Sequence, residues 1–255
     1  MTLHIDGMLN LRDLGGTPTG DGRRIRTGRL WRSENQTGLG ASALQAMVDA
    51  GLTDVIDLRT DFEVKGSPSP FAERQGIAYH HLSFFPEAED DDAEILEDAL
   101  PWMKDQPAPD ADSGNADADD YLSFLRDRPD SVLAALRALA QAEGAALVHC
   151  AVGRDRTGFT VALALALVGV PDEPIVDDYV ATAEHIEPLV WKLWSDPTYA
   201  AEKGDMSKMD LLPERATMAT ALEHVRRQWG SAENLLRTLG WTDADQEALR
   251  SHLLD

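Results

Sequence analysis

The sequence predicts an α/β fold in which a central, mostly parallel sheet is flanked by helices. Two kinds of segment follow one another along the chain. In one, apolar and polar residues alternate as in strands; in the other, apolar residues recur at helical spacing. The chain has 255 residues, of which 43% are hydrophobic, and this is enough for one substantial core. We therefore expect a single domain over residues 1–255.

The N-terminal part of the chain is predicted to supply the first strands and one helix. Residues 10–16 lead through a polar turn to Ile25, and apolar and charged residues alternate over 29–33, which predicts an entry strand. A helix is predicted over 43–50, because its apolar residues have helical spacing and Gly51 follows. Two further strands are predicted at 55–58 and 78–84, on either side of a connection that contains proline and glycine.

A strongly acidic stretch interrupts this alternation between residues 87 and 120. Of its 34 residues, 14 are Asp or Glu and only Lys104 is basic, which predicts a mobile or weakly packed segment. Apolar pairs between Ile95 and Met103 recur at helical spacing, so part of it can form an amphipathic helix. Two interpretations stay open here: a helical lid or insertion over a site, and a solvated acidic loop without a catalytic role.

The C-terminal half is predicted to be mainly helical and to pack on the sheet. Asp130 is a suitable N-cap for a helix whose apolar stripe ends before Gly144. Residues 145–148 form a wholly apolar strand, and further helices are predicted from Asp172 onward. Prolines near helix starts and glycines at helix ends mark their boundaries: Pro174, Pro213, Gly230 and Gly240.

Charge and cysteine content exclude several classes of function. A formal net charge of -22 disfavours nucleic-acid binding, which needs clustered Lys and Arg. The single cysteine rules out an intramolecular disulfide and a multi-thiolate metal site, and we expect no metal or other cofactor. The longest apolar run, 159–170, is too short for a membrane helix. The first residues lack a secretory signal pattern, so a cytoplasmic location is expected, with unconventional export left open.

The residues after the apolar strand predict an anion-binding loop. Cys150 ends that strand and Gly158 begins the apolar run of a helix, so the loop joins a strand to a helix N-terminus. Backbone N–H groups at such a place form a cradle that a phosphate can fill. The residues expected to hold the phosphate are Ala151, Val152, Gly153, Arg154, Thr157 and Gly158.

The chemistry of this loop points to a nucleophilic cysteine. Arg156 follows Cys150 by six residues and offers a planar fork of donors that matches two phosphate oxygens. Electropositive surroundings at a helix start favour the thiolate over the thiol, whereas a lone cysteine without such neighbours would more often be core filler. Attack on a phosphate monoester would give a cysteinyl-phosphate that water later hydrolyses. We expect Thr157 to donate its hydroxyl to the sulfur and His149 to orient the loop.

Several motifs, in the right order along the chain, resemble the protein tyrosine phosphatase superfamily and especially its bacterial tyrosine-phosphatase-like branch. They are Asn10–Gly16, Gly28–Ser33, Thr53–Thr60, His149–Gly158 and Asp172–Tyr179. The resemblance implies that family's fold, with a mobile lid that would fall within residues 87–120. It also implies activity on phosphotyrosine that can extend to phosphoserine, phosphothreonine or phosphoinositides. Asp13 and Arg59 belong to segments that the resemblance assigns to bracing the phosphate loop.

The motifs leave the proton donor for the leaving group open. The chain has no Trp-Pro-Asp segment, and Arg154 stands where the family usually has lysine, so a preference for multiply phosphorylated lipids is not implied. By resemblance, Asp155 is the leading candidate for the acid, and a structural brace within the loop is its alternative role. Glu87, Asp119 and Asp120 are the weaker candidates.

Two other functions fit parts of the pattern. A sulfurtransferase of the rhodanese type also places a lone cysteine in an anion-binding loop, but its loop seldom continues with the Arg-Thr-Gly found here. A catalytically inactive phosphatase domain that only binds phosphorylated partners would commonly have lost Cys150 or Arg156, and both are present.

Overall fold

The computed structural model describes residues 3–86, 113–202 and 212–255, and within them a five-stranded sheet forms the centre of the fold. Its strands are β1 (Arg12–Asp13), β2 (Leu30–Ser33), β3 (Leu52–Asp57), β4 (Ala78–His81) and β5 (Ala145–His149). Their spatial order is β1-β2-β5-β3-β4. Only β1 runs antiparallel to its neighbour, so the predicted mostly parallel sheet is confirmed.

Helices flank this sheet, and most of them follow β5 as predicted. The described helices are α1 (Ala41–Asp49), α2 (Asp61–Gly66), α3 (Ala116–Asp127), α4 (Pro129–Gln141), α5 (Asp155–Leu167), α6 (Asp172–Ala181), α7 (Ile186–Ser195), α8 (Arg215–Trp229), α9 (Ala232–Leu239) and α10 (Asp243–Leu253), with 3₁₀ turns at Thr182–His185 and Pro197–Glu202. Gly230 and Gly240 end α8 and α9 with positive φ angles, as expected of helix C-termini. None of the described helices combines the length and the apolar character that crossing a bilayer requires.

The central strands β2, β3 and β5 are buried on both faces of the sheet, and successive residues of β5 alternate between two cores. In β5, Ala145 and Leu147 pack in the cluster that contains Met47 of α1. Ala146 and Val148 face the larger cluster, which the helices of the C-terminal half complete. All five β5 residues are fully buried, so the strand that leads to Cys150 is held from both sides.

The parallel register brings the carboxyl ends of four strands to one edge of the sheet. His149 pairs with Ser33 on one side and with Asp57 on the other, and Asp57 pairs with His81. Ligands of open α/β sheets bind beyond this edge. The chain that follows β5 therefore emerges at the middle of the edge where a site is expected.

The start of α4 differs from the sequence prediction. The helix begins at Pro129 with Arg128 at the N-cap position, so Asp130 lies inside the first turn and its prediction as the cap was wrong. Proline is favoured at the first helical position, since its fixed φ suits the helix and its missing N–H would have no partner there. The proline signal outweighed the capping preference of aspartate.

The acidic segment also ends earlier than its composition predicted. Residues 116–120 begin α3, where the side chain of Asn115 accepts a hydrogen bond from Ala118 N and the Ala118 side chain is fully buried. This end of the segment is therefore packed. Residues 87–112, which include Glu87 and the helix predicted between Ile95 and Met103, lie outside the described part of the chain.

Candidate active site

The loop from Cys150 to Arg154 connects β5 to α5 at the carboxyl edge of the sheet. Cys150 is buried, with 2% of its surface exposed. In the first turn of α5, the N–H groups of Asp155, Arg156 and Thr157 have no partner further back in the helix. The loop thus opens onto a helix N-terminus, as the sequence predicts, and this is a favourable place for an anion.

Four consecutive carbonyl groups of this loop accept hydrogen bonds from residues behind it. They are Cys150 O, from His149 Nδ1 (3.2 Å); Ala151 O, from Asn35 N (3.0 Å); Val152 O, from Asn10 Nδ2 (3.0 Å); and Gly153 O, from Arg32 (2.5 Å). None of the described peptide bonds is cis, and in a trans peptide the N–H points opposite to the C=O. The N–H groups of the four peptide units therefore point away from these donors and form a nest for an anion.

The side chains of two predicted phosphate-binding residues point elsewhere. Ala151 and Val152 are buried and pack with Leu193 of α7 and with Tyr199 of the following 3₁₀ turn. Only the backbone of these two residues is available to an anion. Their apolar side chains anchor the loop to the C-terminal helices.

Gly153 lies where the loop comes closest to β2. Its φ is +75°, and a Cβ atom at this position would lie 2.2 Å from Ser33 O. We expect Gly153→Ala to weaken binding of an oxyanion such as tungstate by at least about tenfold and to lower the melting temperature, because the loop must move off β2. Calorimetric titration and thermal unfolding measure the two effects.

Gly16→Ala is the matched control for this substitution. Gly16 has a φ of +92°, but no atom lies within 4 Å of the position that a Cβ would take. It should lose stability through backbone strain alone and keep native tungstate affinity. Equal affinities of Gly153→Ala and the native protein would contradict the close-approach argument.

A buried ionic network fixes the donors behind the loop. The Arg32 side chain is fully buried and donates to Asp178 Oδ2 of α6 at 2.5 Å as well as to Gly153 O. Arg12 donates to Asp178 Oδ1 at 2.7 Å and to Asn10 Oδ1 at 2.5 Å. Burial alone would raise the pKa of Asp178, but the charges of Arg32 and Arg12 outweigh it and hold that pKa below its usual value. The carboxylate therefore stays charged and ties both arginines to the loop.

The two residues predicted to brace the loop, Asp13 and Arg59, act on other segments. Asp13 accepts hydrogen bonds from the N–H groups of Gly15 and Gly28 and closes the connection between β1 and β2. Arg59 binds the Asp57 carboxylate with its Nε and NH2 groups, at 2.9 and 2.7 Å, and donates to Ser67 O. Neither makes a hydrogen bond to the phosphate loop among the described contacts. Their support is indirect, through the strands that they stabilise.

Arg156 is held by a carboxylate that sequence reasoning missed. Its guanidinium donates to Glu63 Oε2 at 2.6 Å and to Glu63 Oε1 at 3.2 Å, and it also reaches Leu58 O. The Phe85 ring lies beneath it, with its centroid 5.6 Å from Cζ. Burial would lower the pKa of Arg156, but the charges of Glu63 and Cys150 raise it above its usual value. The sulfur therefore lies within electrostatic reach of a permanently charged guanidinium.

Glu63 is in turn fixed by its own neighbours. It forms a capping box with Thr60 at the start of α2, and the hydroxyl of Tyr199 donates to Oε1 at 2.7 Å. Burial would raise the pKa of Glu63, but the charge of Arg156 and these hydrogen bonds lower it. The spacing of Thr60 and Glu63, typical of a capping box, is the one sequence signal that marks this glutamate.

Asp155 is held by side chains. Arg154 Nε donates to both of its carboxylate oxygens, at 2.8 and 2.9 Å, and the Tyr121 hydroxyl donates to Oδ1 at 2.5 Å. The hydroxyl of Tyr179 lies 2.7 Å from that of Tyr121. The contacts described for this carboxylate come from side chains and not from backbone amides, and 29% of the Asp155 side chain remains exposed.

The other proposed acids are placed differently. Asp119 is buried and accepts a hydrogen bond from Ser113 N at the start of α3. The side chain of Asp120 is exposed. Its pKa is raised to about 6 by partial desolvation and by the charges of Asp117, Asp155 and Asp119. Asp120 directly precedes Tyr121, whose hydroxyl donates to Asp155, so Asp120 lies on the helix that makes this contact.

His149 and Thr157 flank the cysteine on the buried side. Burial lowers the pKa of His149 although Asp57 Oδ2 lies 3.6 Å from its Nε2, so the ring is neutral when it donates to Cys150 O. The Thr157 hydroxyl is buried and has no hydrogen-bond partner among the described residues. Its predicted bond to the sulfur is not formed in this structure. The described residues include no group of three or more side chains suited to hold a metal ion.

Comparisons with known proteins agree with this geometry. The sequence profile of the tyrosine phosphatase family matches residues 3–255. The triple specificity protein phosphatase PtpB of Mycobacterium tuberculosis is 30% identical, over 98% of this chain and 98% of its own length. A putative tyrosine-protein phosphatase of Cupriavidus necator is 29% identical over 99% of this chain and 88% of that protein, and a tyrosine-protein phosphatase of Nostoc commune is 27% identical over 90% and 73%. The chain therefore belongs to the tyrosine phosphatase family and is a phosphatase.

Proposed function

We propose that this phosphatase hydrolyses phosphate monoesters through a cysteinyl-phosphate on Cys150, with phosphotyrosine as its main substrate. One observation carries the proposal. The four carbonyl groups of residues 150–153 accept hydrogen bonds from the protein side of the loop, and this leaves the N–H groups of the loop to hold the phosphate oxygens. The sulfur attacks phosphorus, and the bond to the leaving oxygen breaks as that oxygen takes up a proton. Water then attacks the phosphorus, phosphate departs and the thiolate is restored.

The loop and Arg156 share the task of stabilising the transition state. Charge spreads over the three equatorial oxygens of the transferring group, where the loop amides and the guanidinium can meet it. Two hydrogen bonds to Glu63 fix the orientation of the Arg156 guanidinium. The buried Thr157 hydroxyl has no acceptor among the described residues, and donation to the sulfur as it leaves in the second step would satisfy it.

The proposed substrate range follows from the charges around the loop. The relative PtpB is named for triple specificity, which supports extending the range to phosphoserine, phosphothreonine and phosphoinositides. Arg154 is bonded to Asp155, however, so its charge is largely compensated and adds little attraction for a second phosphate. We therefore propose that phosphotyrosine is preferred over multiply phosphorylated lipids, in one catalytic domain that acts in the cytoplasm.

A release assay over phosphotyrosine, phosphoserine and phosphothreonine peptides and phosphatidylinositol phosphates tests the substrate range. Phosphotyrosine should be hydrolysed fastest. Acid quenching during turnover, followed by mass spectrometry, should find phosphate on the peptide that contains Cys150. Phosphate release without that label would contradict the mechanism. A persulfide on Cys150 after thiosulfate, without phosphate release, would favour the rhodanese-type alternative.

Asp155 is proposed as the proton donor. We expect Asp155→Asn to slow hydrolysis of phosphotyrosine by about 10²-fold, and to affect an activated aryl phosphate far less, since only a poor leaving group needs the proton. Turnover of the two substrates measures the difference. Asp120→Asn is the comparison, because a pKa of about 6 also suits an acid. Leaving-group dependence in Asp120→Asn but not in Asp155→Asn would transfer the role to Asp120.

A further inference from the structure

We propose that Tyr121 and Tyr179 form a hydroxyl chain that positions Asp155 for proton transfer. The inference rests on the catalytic role proposed for Asp155. Three helices meet at this point: Tyr121 lies on α3, Tyr179 on α6, and Asp155 is the first residue of α5. No motif in the sequence marks either tyrosine as a site residue.

The chain of hydrogen bonds has a fixed direction. An ionised carboxylate only accepts, so the Tyr121 hydroxyl must donate to Asp155 Oδ1, at 2.5 Å. The oxygen of Tyr121 is then the acceptor for the Tyr179 hydroxyl, at 2.7 Å. Each donor in such a chain polarises the next, which strengthens the bond to the carboxylate.

Both phenols keep their protons in the range where the enzyme works. Burial, followed by the charge of Asp155, raises the pKa of Tyr121 well above its usual value. Burial and the same charge also raise the pKa of Tyr179. Both side chains are almost fully buried, so water does not compete for their hydroxyls. The pair is therefore a permanent donor to Asp155.

Packing holds the two rings in place. The Tyr121 ring packs against Phe124 and Phe159, with centroid distances of 6.1 and 5.9 Å. The Tyr179 ring lies against Gly158 so closely that a Cβ there would come within 2.9 Å of its Cδ2. The last glycine of the phosphate-loop motif thus makes room for Tyr179. Because neither ring can swing away, the direction of the hydroxyl chain is fixed by the core.

The contacts also identify the oxygen that exchanges the proton. A carboxylate offers about two acceptor positions on each oxygen. Arg154 Nε donates to both carboxylate oxygens of Asp155, and the Tyr121 hydroxyl donates to Oδ1 as well. No other described contact occupies Oδ2. The geometry therefore assigns proton exchange with the substrate or with water to Oδ2 of Asp155.

Tyr121→Phe tests the proposal, since it keeps the ring and removes the donor. We expect kcat on phosphotyrosine to fall about tenfold with little change in KM, because orientation of the acid is lost after binding. The loss should be far smaller on an activated aryl phosphate, because only a poor leaving group needs the proton from Asp155. Tyr179→Phe should give a smaller loss with the same dependence on the leaving group.

Ser123→Ala is the matched control on α3. It also removes one hydroxyl, but that hydroxyl bonds the backbone carbonyl of Asp120. Its kcat on phosphotyrosine and on an activated aryl phosphate should be native. Tyr121→Phe added to Asp155→Asn should cause no further loss of kcat, because the group that the hydroxyl orients is already absent.

The outcomes separate this inference from the proposed role of Asp155. If Asp155→Asn keeps native turnover of phosphotyrosine, the catalytic role fails, and the positioning claim is then decided by the ¹³C chemical shift of the Asp155 carboxyl group, which Tyr121→Phe should change because it removes a hydrogen bond to Oδ1. A chemical shift that Tyr121→Phe leaves unchanged overturns the positioning claim. A loss of kcat on phosphotyrosine in Asp155→Asn that Tyr121→Phe does not share overturns it as well.

Discussion

Cys150→Ser is expected to abolish turnover while leaving the oxyanion pocket intact. A serine hydroxyl keeps its proton at neutral pH, whereas a cysteine thiol in electropositive surroundings readily gives the nucleophilic thiolate. The loss of kcat should be on the order of 10⁴-fold or more, as for other catalytic nucleophiles. Steady-state hydrolysis of an activated aryl phosphate measures it.

Tungstate binding provides the internal control for this variant. The loop is fixed by carbonyl contacts that the Cys150 side chain does not make, so the affinity for tungstate and the melting temperature should stay close to native. A variant that keeps the native rate would show that sulfur is not the nucleophile. A variant that loses tungstate binding together with its rate would instead mean that the sulfur shapes the loop.

Glu63→Gln is expected to reduce both stability and catalysis. The substitution keeps the size of the side chain but removes the negative charge that faces the buried Arg156 guanidinium, and breaking a buried ion pair typically costs about 3–5 kcal/mol. The turnover number should fall on the order of 10³-fold, because an arginine that is no longer held by two bonds meets the equatorial oxygens poorly. Thermal unfolding and steady-state kinetics at neutral pH measure the two losses.

The stability difference between native protein and Glu63→Gln should depend on pH. The folded-state pKa of Glu63 lies below the usual 4.5, so its stabilising contribution is fully present above that value. It is lost as the pH falls toward the lower folded-state pKa, and the two melting temperatures should then converge. Glu233→Gln, which breaks an exposed pair with Arg237, is the control and should leave melting temperature and turnover unchanged. Native turnover in Glu63→Gln would contradict the role of this pair.

The sequence predicts those parts of the site whose residues lie close together along the chain. The apolar strand, the loop and the apolar helix follow one another without interruption, so Cys150 and Arg156 can be placed from local pattern alone. Glu63 is 93 residues away from Arg156, and Arg32 is 121 residues away from Gly153. Such pairs have no periodic signature, because they arise only when the sheet brings distant segments together.

The beginning of α3 shows why composition alone misplaced one boundary. Asp117 is exposed and Asp119 accepts a hydrogen bond from Ser113 N, while acidic residues dominate the average composition over 87–120. Ala118, Tyr121 and Leu122 nevertheless recur at helical spacing and are buried in the main core. Burial of that apolar face outweighs the charge of the solvent-exposed face. The role of Tyr121 was hidden because it lies one residue beyond the acidic stretch.

The phosphate loop is held by hydrogen bonds between residues that are far apart in the sequence. These contacts also determine when the enzyme can first become active during its synthesis. Asn10 and Val152 are 142 residues apart, and Arg12 and Asp178 are 166 apart. Contacts over such separations form late, because the entropy of closing a long stretch of chain must be overcome first. A nascent chain therefore carries the thiol without the anion nest. It has no means of removing phosphate from other proteins before these contacts form, and until then its cysteine lacks the electropositive surroundings that favour the thiolate.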